Sequence, residues 1–361
     1  MNILIVKLSS RGDVVHTLPA VQDIRRALPQ AQIDWVVEPA FAPLVRRVQG
    51  VHRVVPCAIR AWRKSWWRAG TRAAWQAFQT ELGQVQYDAV IDCQGLTKSA
   101  LIARCAKLSS GGQRYAMANR SAGSGYEAPT RWLADVAVPV PLQVHAVQRA
   151  RLLCAQALGY TLATGDLEQY GLIAQGNAKE FAIKNIVFIH GTSRADKCWS
   201  EPYWVQLGQR LQAQGYRIAL VHGNAEEEAR SHRLASALAS PGHSTAASVW
   251  PRMPLDTLTD ALAQCAGVIG VDSGLSHVAV ALNVPHVQLY NFDTAWRTGP
   301  VALARQRSVF AQPQPSLEAV WQAWCAVQGA AQSAAQGVVQ QGVVQGVVQG
   351  IVHRPQQGLA I

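Results

Sequence analysis

GVIGVDSGLSHVAVAL, residues 267–282, is the most legible stretch of the chain. Gly267–Val271 is an apolar run of the length of a buried strand, Asp272-Ser273-Gly274 is turn chemistry, and Leu275–Leu282 continues as a helix. Residues 1–28 follow the same grammar: Ile3–Val6, then Ser9-Ser10-Arg11-Gly12-Asp13, then Val14, Leu18, Val21, Ile24 and Leu28 at helical spacing. Strand, turn and helix in that order signal βαβ units, hence parallel sheets with helices on both faces. By the same pattern, strands are expected at Ile33–Val37, Val51–Val55 and Ala89–Asp92, and in the second half at Ile186–His190, Arg217–Val221, around Val249 and at His286–Tyr290. Helices are expected at Tyr203–Gln214, Glu226–Ala239 and Leu255–Gln264. Pro19, comfortable only in a first turn, shifts the expected start of the first helix from Val14 toward Thr17.

A chain of 361 residues, 49% of them hydrophobic, exceeds one domain and supports two packed cores. The expected fold class is therefore α/β, with two domains facing across a cleft: residues 1–165 and 180–330, joined by a linker near 165–183 where turn formers and polar residues lack a period. Residues 331–361, with GVVQ units from Gly337 onward, read as a low-complexity, disordered tail. No apolar run reaches the roughly 18 residues of a membrane span, and the opening MNILIVKLSSRGD lacks the regions of a signal peptide, so a cytoplasmic location is expected. Seven scattered cysteines fit neither a disulfide framework nor a CxxC metal site.

Charge is uneven, for residues 1–150 hold 19 Lys and Arg against 9 Asp and Glu, nearly all of the net +11. Between Glu38 and Glu81 there is no acidic residue, while Arg60, Arg63 and Lys64 stand in a basic run interleaved with Trp62, Trp66, Trp67 and Trp75. Such a stretch fits an anionic partner: nucleic acid, phosphorylated lipid or acidic glycan. It also fits an ordinary solvated helix whose tryptophans fill the core.

In parallel α/β sheets ligands gather beyond the carboxyl ends of strands, and four such loops carry candidate chemistry. Asp13 is either a helix cap or a general base at the mouth of the first helix. Thr192, Ser193 and Lys197 offer hydroxyls and an ammonium suited to a diphosphate, although Lys197 taken alone reads better as a solvated loop residue. Glu226, Glu227 and Glu228 crowd one helix's first turn, where the macrodipole favours carboxylates with or without a ribose to bind. Ser273 and Gly274 leave backbone N–H groups open as an anion seat, Asp272 suits a sugar hydroxyl, and His277 suits a phosphate or the core. The GxGxxG and GxxxxGK[ST] fingerprints, HExxH and GxSxG are all absent, which disfavours nicotinamide chemistry, P-loop hydrolysis and two hydrolase classes.

Taken together, SSRGDVVHTLPA, IDCQGLTKSA, HGTSRADKCW, HGNAEEE and VDSGLSHVAVAL resemble the lipopolysaccharide heptosyltransferases of glycosyltransferase family nine, over about residues 1–325. The resemblance implies a GT-B fold of two Rossmann-like domains, the first taking a lipid-linked acceptor and the second a nucleotide-sugar donor. It implies inverting transfer of L-glycero-D-manno-heptose from ADP-heptose to the inner Kdo of Kdo2-lipid A, at the cytoplasmic face of the inner membrane. On matching positions it makes Asp13 the base. Thr192, Ser193 and Lys197 become diphosphate ligands, Glu227 binds ribose, and Met253 adjoins adenine. Asp272, Ser273, Gly274 and His277 bind heptose and phosphate. Arg60, Arg63 and Lys64 are the expected acceptor contacts. Neither cofactor nor metal is expected, since no clustered DxD motif is present to hold a divalent ion on the diphosphate. Two other readings stand beside it: a family-nine enzyme acting on an already heptosylated core, and a non-catalytic nucleic-acid-binding protein using its Arg/Trp stretch.

Overall fold

Strands buried on both faces appear in sequence as continuous apolar runs, and here those runs assemble into parallel sheets. The computed structural model describes residues 1–163, 169–175, 184–239, 247–301 and 304–331. One six-stranded sheet contains β1 (Asn2–Val6), β2 (Gln32–Val37), β3 (Val51–Pro56), β4 (Gln86–Asp92), β5 (Lys107–Met117) and β6 (Val136–Val138), ordered β3-β2-β1-β4-β5-β6. The other contains β7 (Asn185–Ile189), β8 (Arg217–Leu220), β9 (Ser248–Val249), β10 (Gly267–Val271), β11 (His286–Tyr290) and β12 (Gln306–Phe310), ordered β12-β11-β10-β7-β8-β9. Neighbouring strands are parallel throughout. The second order repeats the first, so each half is a doubly wound α/β domain whose chain reverses direction beside its opening strand.

Three strands lie outside the runs expected from the sequence. β5 is polar and carries two glycines, β6 has three residues, and the edge strand β12 exposes most of its side chains. Their strand character comes from pairing with β4, β5 and β11, not from an apolar run.

The first helix corrects an expectation. It spans Arg11–Ala27 with Pro19 inside, and so starts six residues before Thr17. Its start is set by Ser10, whose N–H and hydroxyl both donate to the Asp13 carboxylate, at 3.0 and 2.9 Å. An interior proline costs about 3 kcal/mol, but complete burial of Val14, Val15, Leu18, Val21 and Ile24, worth roughly 1.5–3 kcal/mol per large side chain, outweighs it.

That helix is also where the two domains meet. Its buried side chains share one apolar cluster with Leu275, Val278 and Ala279 of the helix Gly274–Ala281. The two helix starts lie so close that a Cβ on Gly12 would sit 2.7 Å from His277 Cδ2, and one on Gly274 would sit 2.7 Å from Arg11 Cβ. Arg47 and Asp260 add an ion pair between the halves.

Part of the expected linker docks on the first domain: Tyr170 is buried, and Ile173 N–H donates to Arg47 O at 3.0 Å. A closing helix over 317–331 buries Val320, Trp324 and Val327 in the second domain's core. The tail expected over 331–361 lies outside the described residues beyond Ala331. Among the described residues, no helix is long and apolar enough to cross a membrane.

Inside the first domain, Arg151 on the helix Ala146–Leu158 makes a two-pronged bond to Asp23 of the first helix, at 2.6 and 3.0 Å. Both side chains are almost fully enclosed, 1% and 4% exposed. Asp23→Ala strands a guanidinium away from water and should cost about 3–5 kcal/mol in urea denaturation; a loss below about 1 kcal/mol would show the pair to be dispensable.

Candidate active site

Where strand order reverses, the helices on either side diverge and leave a crevice at the strands' carboxyl ends. That point lies between β1 and β4 in the first sheet and between β7 and β10 in the second. The loops after β1, β7 and β10 converge on one cleft with two adjoining lobes of about 460 and 340 Å³. Arg11, Thr192, Ser193, Ser273 and Gly274 line both lobes.

The larger lobe has an apolar wall of Ile189, Val221, Met253, Leu255 and Leu258, with Asn224 and Glu227 among its polar groups. Asn224 caps the helix Ala225–Leu238 by accepting from Glu227 N–H at 2.8 Å. This turns the Glu227 carboxylate inward, where Oε2 accepts from Gly223 N–H at 2.7 Å. The carboxylate lies over Gly191, and a Cβ there would approach Glu227 Cδ to 2.3 Å. Of the three glutamates in that turn, only Glu227 lines the lobe; Glu228 lies 4.0 Å from His222 Nε2 instead.

The smaller lobe holds Asp13, His16, Lys197, Asp272, His277 and Arg297. Lys197 Nζ donates to Asp272 Oδ2 at 2.6 Å, and His277 Nε2 lies 3.5 Å from Oδ1. The Thr192 hydroxyl donates to Asp272 O at 3.0 Å, tying the β7 loop to the β10 loop. Burial alone would raise the Asp272 carboxyl, but His277 and Lys197 outweigh it and hold the group well below the usual carboxylate range. Ser273 caps the helix Gly274–Ala281, whose N-terminus opens onto both lobes.

Asp13 faces this group from the first domain. Both bonds from Ser10 go to Oδ2, so among the described residues Oδ1 accepts none. Capping and proton acceptance are thus divided between the two oxygens. Behind the carboxylate lie Lys7 and Arg149, both buried, in a small shared cavity; Lys7 Nζ donates to Cys93 O at 2.9 Å. Burial raises the Asp13 carboxyl, yet the charge of Lys7, the Ser10 bonds and Arg149 leave it below its ordinary value, so it is ionised at neutral pH. His16, one turn on, packs its ring 4.3 Å from that of His277, and burial followed by that neighbour pushes it well below the usual histidine range.

Every residue expected in catalysis or donor binding therefore lines the cleft, whereas Arg60, Arg63 and Lys64 line neither lobe. Arg60 sits beside it, its Nη2 donating to Ser9 Oγ at 2.5 Å and its Nε 3.6 Å from Glu38. Arg63 and Lys64 are exposed on the same segment, and the charges of Arg60 and Arg63 bear on Lys98. Of the tryptophans there, Trp62 is buried while Trp66 and Trp67 are exposed. Arg11, Arg252 and Arg297 line the cleft without having been singled out from sequence. Arg11 stood in view within the loop after β1. Arg149 gave no local signal, because a helix some 130 residues on carries it to Asp13.

A depressed carboxylate contributes stability above its unfolded value, here 3.8, and loses it as pH falls through the lower folded value. Asp272→Asn should therefore flatten the acid limb of stability against pH below about pH 4. Urea midpoints from pH 7 to pH 3 that fall in parallel for variant and parent would contradict the pairing.

A family model described as glycosyltransferase family 9 (heptosyltransferase) matches residues 75–322. Lipopolysaccharide heptosyltransferase 1 of Pseudomonas aeruginosa is 40% identical over 308 residues, 83% of this chain and 81% of that protein. Among solved structures, E. coli heptosyltransferase WaaC with ADP aligns with a TM-score of 0.77 at 36% identity, covering 89% of this chain and 98% of that one. The same enzyme with ADP-2-deoxy-2-fluoro heptose aligns with a TM-score of 0.74 over the same shares.

Proposed function

This chain belongs to glycosyltransferase family 9, the heptosyltransferases, and on that footing we propose that it moves L-glycero-D-manno-heptose from ADP-heptose to the inner Kdo of Kdo2-lipid A. The observation that carries this reading is the pairing of lobes. A nucleoside-sized, partly apolar lobe adjoins one in which an ionised carboxylate from the first domain faces Lys197, Asp272 and His277 of the second. Similarity to a protein named lipopolysaccharide heptosyltransferase 1, and to a heptosyltransferase solved with ADP-2-deoxy-2-fluoro heptose, supports this reading.

In this mechanism residues 180–330 bind the donor and residues 1–165 the acceptor. Adenine lies along Met253, and Glu227 accepts the ribose hydroxyls. Thr192, Ser193, Ser273 and the amides from Gly274 onward hold the diphosphate, while Asp272 and His277 hold the heptose. Asp13 Oδ1 takes the proton from the acceptor hydroxyl as its oxygen bonds to the anomeric carbon. On the opposite side the bond to the diphosphate breaks, so a single displacement inverts the centre. Charge growing on the departing ADP meets Lys197 and the helix N-terminus. In the free enzyme Lys197 and Asp272 neutralise each other, which holds both side chains in place without leaving a net buried charge.

Arg60, Arg63 and Lys64, with Lys98 beside them, offer cations to the acceptor's carboxylates and phosphates at the cleft's rim. Exposed Trp66 and Trp67 add an apolar anchor for peripheral contact with the cytoplasmic face of the inner membrane. Family membership sets aside the non-catalytic nucleic-acid reading.

The decisive test incubates the protein with ADP-heptose and either Kdo2-lipid A or its heptosylated product. One heptose mass should be added to the first acceptor only; addition only to the second would transfer the assignment to a later step. Asp13→Asn keeps size and capping but not basicity, and turnover should fall by about 100-fold or more with little change in ADP affinity. Near-normal turnover would remove Asp13 from the chemistry. Neutralising Arg60, Arg63 and Lys64 together should raise the KM for Kdo2-lipid A and weaken binding to anionic vesicles at low salt, leaving the KM for ADP-heptose unchanged. Unaltered acceptor kinetics would return that stretch to a structural role.

A further inference from the structure

Five residues line both lobes, and four of them come from the second domain. The fifth is Arg11, at the start of the first domain's first helix. Its side chain lies across Gly274, where an added Cβ would meet Arg11 Cβ at 2.7 Å and its Cγ and Cδ at 3.2 Å. The guanidinium stem therefore rests on the N-terminal end of the helix Gly274–Ala281, a place of positive potential. Arg11 Nε is buried and has no hydrogen-bond partner among the described residues. Glu227 acts on Arg11 electrostatically, but its own Oε2 is engaged by Gly223 N–H.

Two like-signed groups, a guanidinium and a helix N-terminus, thus converge with the hydroxyls of Thr192, Ser193 and Ser273, and none of the residues common to both lobes is acidic. This arrangement favours an anion between the groups. A nucleotide-sugar spanning the cleft would put its nucleoside beside Met253 and Glu227 and its sugar beside Asp13 and Asp272. The segment linking nucleoside to sugar, which must cross the junction, is the diphosphate.

We infer that Arg11 is a diphosphate-binding residue contributed by the acceptor domain, so that the donor is held by both domains at once. The inference rests on the donor reading given above. It has a consequence for the seam between domains: the charge that neutralises the donor is shared across it, and donor binding stabilises the apposition that brings Asp13 to the sugar. Arg11 binds and positions; it takes no part in proton transfer.

Calorimetric titration of the full-length protein with ADP, AMP and adenosine separates the possibilities, with Arg11→Gln and Arg11→Lys beside the parent. For Arg11→Gln, ADP affinity should fall by about 10- to 100-fold, the range for one charge-assisted contact, while adenosine affinity stays within about twofold. Arg11→Lys should recover part of the ADP loss, because it keeps the charge without the planar fork. Retained adenosine binding also shows that the variant is folded. Unchanged ADP affinity overturns the inference. An equal loss for adenosine does so too, since Arg11 would then act by packing or by neutralising Glu227. A parent protein that binds adenosine but gains nothing from the phosphates overturns the donor reading itself, and this inference with it.

Discussion

The architecture turns on one steric constraint, the near-contact of two helix starts. Gly12 and Gly274 carry no Cβ, so the first helix and the helix Gly274–Ala281 meet with their N-termini side by side. Behind that point the seam is apolar, and the side chains that close it belong to the largest buried cluster among the described residues. Domain contacts within a chain are commonly polar and loose; an apolar seam makes separation costly and holds the relative placement of the two sheets. The site depends on that placement, because Asp13 and its opposing group lie on different domains.

Once the seam is set, the electrostatics of the cleft follow from what lies behind each group. Asp13 has Lys7 and Arg149 at its back, and Asp272 has Lys197 and His277 at its front. Both carboxylates remain ionised, the first with an oxygen left over and the second with both oxygens engaged. An acceptor of protons and a fixed negative anchor are thus made from the same residue type by different neighbours. His16 stays neutral between them, which avoids adding a further positive charge beside Lys7 and Arg149.

The chain's excess of cations sorts by the same logic. Arg53 is spent inside the fold on Asp34 and Tyr87, and Arg151 on Asp23. Arg11, Lys197, Arg252 and Arg297 surround the cleft, and Arg63 and Lys64 remain on the surface. A basic count in the sequence therefore overstates the charge facing any one partner, and the exposed remainder is what an anionic surface would meet.

Sequence alone determined the repeating strand-turn-helix grammar, because parallel strands covered on both faces must be apolar without interruption; β10 and β11 lie at the residues expected for them. It also marked the loops that carry chemistry, since turn residues after a buried strand have few places to go but the sheet's carboxyl edge. What it could not determine was anything set by partners distant in the chain. β5 is a strand because β4 pairs with it, and the first helix runs through Pro19 because burial outweighs the break. Which of three adjacent glutamates turns inward was decided by the Asn224 cap and the bare backbone of Gly191. Arg11 and Arg149 entered the site only through packing between helices far apart in sequence. Local chemistry specifies what a segment can become, and long-range burial and charge choose which groups meet.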